Sequence, residues 1–183
     1  MVPDIKCDFV GTTGEKGIDD CIMKLAQSVS GVSDPCLLAE MITTAVGMAR
    51  GTTGHGDFKM ANRALKEMRV ASEVFQPFRG RRKVALFGSA RTAPEEKEYQ
   101  TAVKFSRRMR DEGFMVITGA GPGIMAAGNE GATREDSFGL NITLPFEAAA
   151  NEFIADDPKL IDFNYFFTRK LAFVKEADAA VGM

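Results

Sequence analysis

The stretch VITGAGPGIMAAGNEGA, residues 116–132, decides the fold because it joins an apolar run, a glycine-rich turn and a helix-forming segment. This order is typical of a strand, a loop and a helix in a parallel α/β sheet. A dinucleotide fingerprint has glycine at its first, third and sixth positions. Gly119 and Gly121 occupy the first and third, but Ile124 occupies the sixth. The loop therefore does not predict NAD binding.

The same alternation of apolar runs and helical patterns continues on both sides of this loop. Apolar runs predict strands at residues 84–87, 114–118, 139–144 and 177–183. A capping box at Thr92 and Glu95 predicts a helix that ends near Gly113, and further helices are expected at 123–134 and 165–176. The pattern predicts an α/β fold: a Rossmann-like, doubly wound parallel sheet that stops at its fourth strand.

Two domains follow from the change of period along the chain. Residues 1–80 carry three amphipathic helical patterns and form a helical N-terminal extension, and residues 81–183 form the Rossmann-like domain. The helices are expected to begin near the Asp19-Asp20 pair, at Asp34-Pro35 and after Asp57. Apolar residues recur at three- and four-residue steps and are predicted to face inward: Ile22, Leu25, Ala26 and Val29; Leu38, Met41, Ile42 and Ala45; Phe58, Ala61, Leu65, Met68 and Phe75.

The composition excludes several classes of protein. A net charge of −2 gives no overall attraction to nucleic acid or to an anionic membrane, so neither is expected as a partner. The three cysteines, Cys7, Cys21 and Cys36, are widely spaced and lie far from His55, so we expect neither a zinc site nor a disulfide framework. The chain has no apolar stretch of about 20 residues and no signal pattern, which indicates a cytoplasmic protein.

Two small-residue loops are the first candidates for a binding site. Gly119, Gly121 and Gly123 allow a ligand to approach the backbone next to a helix N-terminus. A tight turn without a ligand explains these glycines equally well. A second loop, with candidates Gly88, Ser89 and Arg91, follows the neighbouring predicted strand at the same edge and shifts the balance towards a binding site.

Polar residues near the third and last strands complete the set of candidates. Glu147 and Asn151 are four residues apart and share one face if that stretch is helical, although a solvated loop is the simpler alternative. Arg169 and Lys170 follow an aromatic cluster, and their side chains suit phosphate. Solvation of both cations is the usual outcome for such a pair.

Taken together, FGSAR, TGAGPGIMAAGNEGA, LPFE and YFFTRK resemble the LOG family of phosphoribohydrolases, often labelled lysine decarboxylase-like. The resemblance covers residues from about 83 to 183. It implies a Rossmann-like homodimer or higher homo-oligomer that uses no metal and no other cofactor. It also implies hydrolysis of a nucleoside 5′-monophosphate, of the AMP or cytokinin riboside type, to free base and ribose 5-phosphate.

The resemblance assigns roles to the candidate residues. Arg169 matches the family's catalytic arginine, and Lys170 adds positive potential. Glu147 and Asn151 contact the substrate. The glycines shape the pocket floor, and the loop residues Ser89 and Arg91 reach the nucleotide.

The catalytic glutamate of the family lies in a P-G-G-x-G-T-x-x-E motif that directly follows the strand matching residues 177–183. This sequence ends at Met183, before that motif. We therefore expect this chain alone to be inactive, as a piece of a longer enzyme or as a natural stub, with an exposed sheet edge that favours association.

Three other functions remain to be compared with hydrolysis. A non-catalytic carrier of a nucleotide or nucleotide cofactor is the main alternative, favoured by the missing glutamate. The net charge disfavours a DNA-binding protein. An NAD-dependent oxidoreductase is disfavoured by the glycine spacing.

Overall fold

The computed structural model describes residues 11–29, 31–143 and 149–183. The chain divides into two compact units, Met1–Asn62 and Arg63–Met183. None of the helices in these described ranges is long and apolar enough to cross a membrane.

Three helices make up the N-terminal region: α1 (Lys16–Ser28), α2 (Pro35–Arg50) and α3 (His55–Phe75). The predicted start of α2 is confirmed, since the Asp34 carboxylate accepts a hydrogen bond from Leu37 N at 3.0 Å. Helix α1 begins before the Asp19-Asp20 pair, because Asp19 lies in its first turn and accepts bonds from Thr12 and Thr13.

The predicted inward faces of these helices are partly wrong. In α3 the buried residues are Ala64, Glu67, Ala71 and Phe75. Several residues expected to be buried are exposed: Leu25, Val29, Met41, Ala45, Phe58, Leu65 and Met68.

The expectation of no disulfide is also wrong, because Cys36 is disulfide-bonded, while Cys21 is free and exposed.

The predicted parallel sheet is confirmed, with five strands rather than four. They are β1 (Lys83–Phe87), β2 (Met115–Thr118), β3 (Ser137–Ile142), β4 (Leu160–Phe163) and β5 (Ala179–Gly182), in the order β4-β3-β2-β1-β5. Every neighbouring pair is parallel, and β1 and β2 align Val84 with Val116. Strand β4 was missed, so the last strand is the fifth.

Three helices cross between the strands: α4 (Lys97–Asp111), α5 (Ile124–Ala132) and α6 (Phe166–Glu176). Helix α6 begins and ends as predicted to within one residue. The predicted capping box at Thr92 and Glu95 is wrong, because α4 begins at Lys97. The Glu96 carboxylate, just before the helix, accepts a hydrogen bond from Ala93 N at 2.7 Å.

Two apolar clusters cover the two faces of the sheet. On one face, Phe75 of α3 stacks on Phe138 of β3 with ring centroids 4.3 Å apart, and Phe173 of α6 joins the same cluster. On the other face, α4 and α5 pack over Leu86 and Val116. Because both faces are covered, the central strands are mostly apolar. Ligands of such sheets generally bind at the carboxyl ends of the strands.

Candidate functional site

Two loops meet at the carboxyl edge of the sheet, one after β1 and one after β2. Ile124 N, at the start of α5, donates a 3.0 Å hydrogen bond to Ser89 O in the first loop. The structure thus brings together the FGSAR and TGAGPG segments, as the order of elements predicts. The third segment, LPFE with Glu147, lies outside the described residues.

Close packing explains why glycine occupies the second loop. A Cβ on Gly123 would lie 2.2 Å from Ser89 O, and the backbone there has φ of 66°. A Cβ on Gly88 would lie 2.5 Å from Ile124 Cγ2, and one on Gly121 would lie 2.7 Å from Met125 Cε. The glycines therefore permit protein atoms to pack against the loop, and their presence alone does not identify a ligand.

Arg169 extends from the first turns of α6 across the ends of β2 and β3. Its Nε donates to Leu140 O at 2.6 Å, and its Nη2 donates to Gly119 O at 3.1 Å. The guanidinium carbon also lies 5.6 Å from the centroid of the Phe173 ring. A Cβ on Gly119 would be 2.5 Å from Nη2, so glycine at this position makes room for the arginine. The half-buried guanidinium places a positive charge at the carboxyl edge of the sheet.

A network of hydrogen bonds from one hydroxyl and two side-chain amides supports the same loop. The Thr118 hydroxyl donates to Asn129 Oδ1 at 2.7 Å and accepts from Ala120 N at 3.0 Å. Asn151 Nδ2 lies 3.0 Å from Ala120 O, Gly121 O and Asn129 Oδ1. Ala120 has φ of 64°, an unfavourable conformation for a residue with a Cβ, and these bonds keep it there. Asn151, a predicted substrate contact, thus supports the loop that would contact the substrate.

The family match agrees with this geometry. Residues 81–179 match the SLOG cluster4 family. The chain belongs to that family. Its membership indicates a nucleotide-related function at the level of the superfamily, which includes LOG-like proteins, without specifying one reaction. No curated protein matches the chain.

In this SLOG cluster4 domain, the remaining predicted site residues lie at the surface of the same edge. Ser89 is exposed, and its Oγ accepts a 3.1 Å bond from Arg91 N, which fixes the turn after β1. The side chains of Arg91 and Lys170 are exposed. Where the chain is described, no group of three potential metal ligands occurs.

Sequence reasoning missed the residue that anchors α6 in this SLOG cluster4 domain. Glu67 of α3 is only 5% exposed and accepts bonds from Asn164 N at 2.9 Å, Asn164 Nδ2 at 3.0 Å and Thr168 Oγ1 at 2.5 Å. Burial raises the pKa of the Glu67 carboxyl, but these hydrogen bonds outweigh burial, so its pKa lies below the ordinary value. A charged carboxylate therefore holds the N-terminus of the helix that carries Arg169.

Sequence signals for the missed residues are weak but present. Asn129 is the one amide in the small-residue helix IMAAGNEGA, and an amide in such a helix needs a partner when the helix is buried. Glu67 has no comparable signal, because acidic residues are common on exposed helix faces.

Proposed function

We propose that the carboxyl edge of the sheet binds a nucleoside 5′-monophosphate. The observation that carries this proposal is the pair of interlocked loops, joined through Ser89 O and Ile124 N, beside the guanidinium of Arg169. The positive end of the α5 dipole lies beside these loops and favours an anion. The nucleotide-related character of the SLOG cluster4 family supports the same ligand class.

The nucleotide would lie over the loop of Gly119 to Gly123, with its phosphate near the cationic side chains. Arg169 contributes a fixed charge because two backbone carbonyls hold it, while Lys170 and Arg91 contribute exposed charges. Ser89 offers an exposed hydroxyl to the same ligand. Glu147 and Asn151 remain proposed substrate contacts, with Asn151 acting through the loop carbonyls that it binds.

The finer proposal is that the bound nucleotide is the substrate of N-glycosidic hydrolysis, giving free base and ribose 5-phosphate. The resemblance to the LOG family supports it, together with the position of Arg169 beside Gly119 at the carboxyl edge of the sheet. Such hydrolysis passes through an oxocarbenium-like ribose, which a carboxylate stabilises while water is positioned. The second candidate function is that of a non-catalytic carrier, which would hold the nucleotide or a nucleotide cofactor at the same edge without cleaving it.

We also propose that the chain forms a homodimer or higher homo-oligomer. The outer face of α6 exposes several large apolar side chains, including Phe166 at 60%, Phe167 at 53% and Val174 at 74%. Contiguous exposed apolar surface of this kind commonly marks a protein interface. Sedimentation velocity should show an oligomer, and Val174→Asp should shift it to a monomer; a monomeric wild-type chain at tens of micromolar would refute this proposal.

Calorimetric titration of the 183-residue chain with AMP, GMP, CMP and IMP tests the binding proposal. We expect one site per chain at this edge, weakened about tenfold by Arg169→Gln and about threefold by Lys170→Gln. Lys104→Gln, a charge change on the exposed side of α4, is the matched control and should leave the affinity unchanged. Absence of binding to all four nucleotides would refute the proposal.

Chromatography of the same mixtures separates the enzyme from the carrier. Free base released by the wild-type chain but not by Arg169→Gln supports hydrolysis. Tight binding without any base release supports the carrier function. Circular dichroism of each variant confirms that lost binding does not arise from unfolding.

A further inference from the structure

A second charged cavity lies at the opposite, amino-terminal edge of the sheet. It has a volume of about 210 Å³ and is lined by side chains that precede β1 and β5 and by the end of α6. Its lining contains five cationic side chains and two carboxylates: Arg79, Arg81, Arg82, Lys83 and Lys175, with Glu176 and Asp178. The proposed nucleotide site uses none of these residues.

Lys83 is the unusual member of this group because it is only 3% exposed. Its Nζ donates to Phe78 O at 2.8 Å and to Arg81 O at 2.9 Å. Within the described part of the chain, its ammonium forms no ion pair with a carboxylate. Burial of a charge is costly unless an opposite charge accompanies it, so the cavity beside Lys83 is suited to an anion.

The other lining residues leave an excess of positive charge. Arg81 pairs with Asp136 at 2.6 Å, and Lys175 pairs with Glu176. Asp178 accepts a hydrogen bond from the neutral Lys83 N at 2.7 Å and keeps its negative charge. The five cationic side chains of the lining still outnumber the carboxylates of Asp136, Glu176 and Asp178.

Two lining guanidinium groups form no ion pair with a carboxylate of the described residues. Arg82 stacks on the Phe114 ring at 4.2 Å, and for Arg79 the described residues provide no ion pair. The C-terminal end of α6 adds a partial negative charge, about half an elementary charge, which does not offset the cations.

We propose that this cavity, defined by Arg79, Arg82 and the buried Lys83, binds a phosphate-class dianion, either a free phosphate or pyrophosphate or the phosphoryl group of a small metabolite. Guanidinium groups bind phosphate oxygens through paired N–H donors, and an ammonium adds a point charge. The ligand would supply the negative charge that Lys83 lacks. The site is independent of the proposed nucleotide crevice.

Titration calorimetry with inorganic pyrophosphate at low ionic strength tests the proposal on the 183-residue chain. We expect saturable binding that Arg79→Gln and Arg82→Gln each weaken about tenfold and that added salt weakens further. Arg107→Gln, an exposed arginine on α4, is the matched control and should have no effect. Hydrogen exchange of the amides in residues 79–83 should slow when pyrophosphate binds.

Variants at both edges separate the two sites. Arg169→Gln should leave the weakening caused by Arg79→Gln unchanged. Binding that disappears in Arg169→Gln but survives in Arg79→Gln would place pyrophosphate in the crevice and refute the second site. Undetectable binding at millimolar pyrophosphate would also refute it.

Parallel titrations identify the source of the phosphoryl group. Stronger binding of pyrophosphate than of AMP at the Arg79-dependent site indicates a free anion. The reverse order indicates a metabolite phosphate.

Discussion

The carboxylate of Glu67 should be the most sensitive single position outside the sheet core. It joins α3 to the segment that starts α6, through bonds from Asn164 N, Asn164 Nδ2 and Thr168 Oγ1. Glu67→Ala removes all three acceptor contacts at once. Glu67→Gln keeps the shape and one carbonyl oxygen but removes the charge.

The expected loss follows from the number and type of these bonds. A hydrogen bond to a charged group contributes about 1.5–3 kcal/mol, and an unsatisfied buried donor costs about 1–3 kcal/mol. Thr168 retains a partner, because its hydroxyl lies 2.9 Å from Tyr165 O, and Asn164 is exposed enough for water to replace Glu67. We therefore expect a loss of about 3 kcal/mol for Glu67→Ala and about 1–2 kcal/mol for Glu67→Gln.

The pH dependence of this loss has a defined sign. The folded state lowers the pKa of Glu67 below its ordinary value of 4.5, so the charged carboxylate adds stability that is fully present above pH 4.5. This stability is lost as the pH falls through the lowered pKa. The stability difference between the wild-type chain and Glu67→Gln should be constant from about pH 6 to 8 and should shrink below 4.5.

Urea unfolding followed by circular dichroism measures these differences. Glu73→Ala on the same helix is the matched control, because Glu73 is 61% exposed and its i,i+4 pair with Arg69 contributes only about 0.3–0.5 kcal/mol. Equal losses for Glu67→Ala and Glu73→Ala would refute the role of Glu67. A Glu67→Gln difference that grows below pH 4.5 would refute the sign of its pKa shift.

Two further substitutions test the loop at the carboxyl edge. Gly123→Ala should destabilise the domain by about 2–4 kcal/mol in thermal or urea unfolding, because the added Cβ would lie 2.2 Å from Ser89 O. Gly56→Ala is the control and should be neutral or stabilising, because the space around Gly56 is open. Asn129→Leu should cost about 2–3 kcal/mol and weaken AMP binding, because Thr118 loses its acceptor and the loop loses its support; unchanged stability would contradict this reasoning.

The sequence predicts the inner strands well because they are covered on both faces. β1 and β2 consist mostly of apolar residues, and a glycine directly follows each of these strands. Strand β4 was missed for the converse reason. It is a four-residue edge strand, LIDF, in which only Ile161 and Phe163 are buried, while Asp162 faces outward and accepts from Asn141. Leu160 and Ile161 are adjacent apolar residues, so the four residues do not show a clear alternation.

The helical faces show a different limit of hydrophobic patterning. The pattern in α3 selects large apolar residues such as Leu65 and Met68, which are exposed. The buried face uses Ala64 and Ala71, which allow close approach, and Glu67, whose charge is satisfied by the start of α6. A carboxylate that is buried by partners about 100 residues away has no local sequence pattern. The predicted buried face of α3 is therefore wrong at the position where long-range hydrogen bonds replace hydrophobic contacts.

The glycine loop combines what the sequence predicts with what it does not. Its position follows from the strand before it and the helix after it, but each glycine is explained by a neighbouring protein atom: Ser89 O beside Gly123, and the Arg169 guanidinium beside Gly119. Glycine content is therefore weak support for a ligand in this fold. Stronger support comes from the charge that the loop accommodates, because Gly119 leaves room for a guanidinium at the end of β2. In the proposed function, the phosphate of a nucleoside monophosphate would be the anion that binds beside this charge.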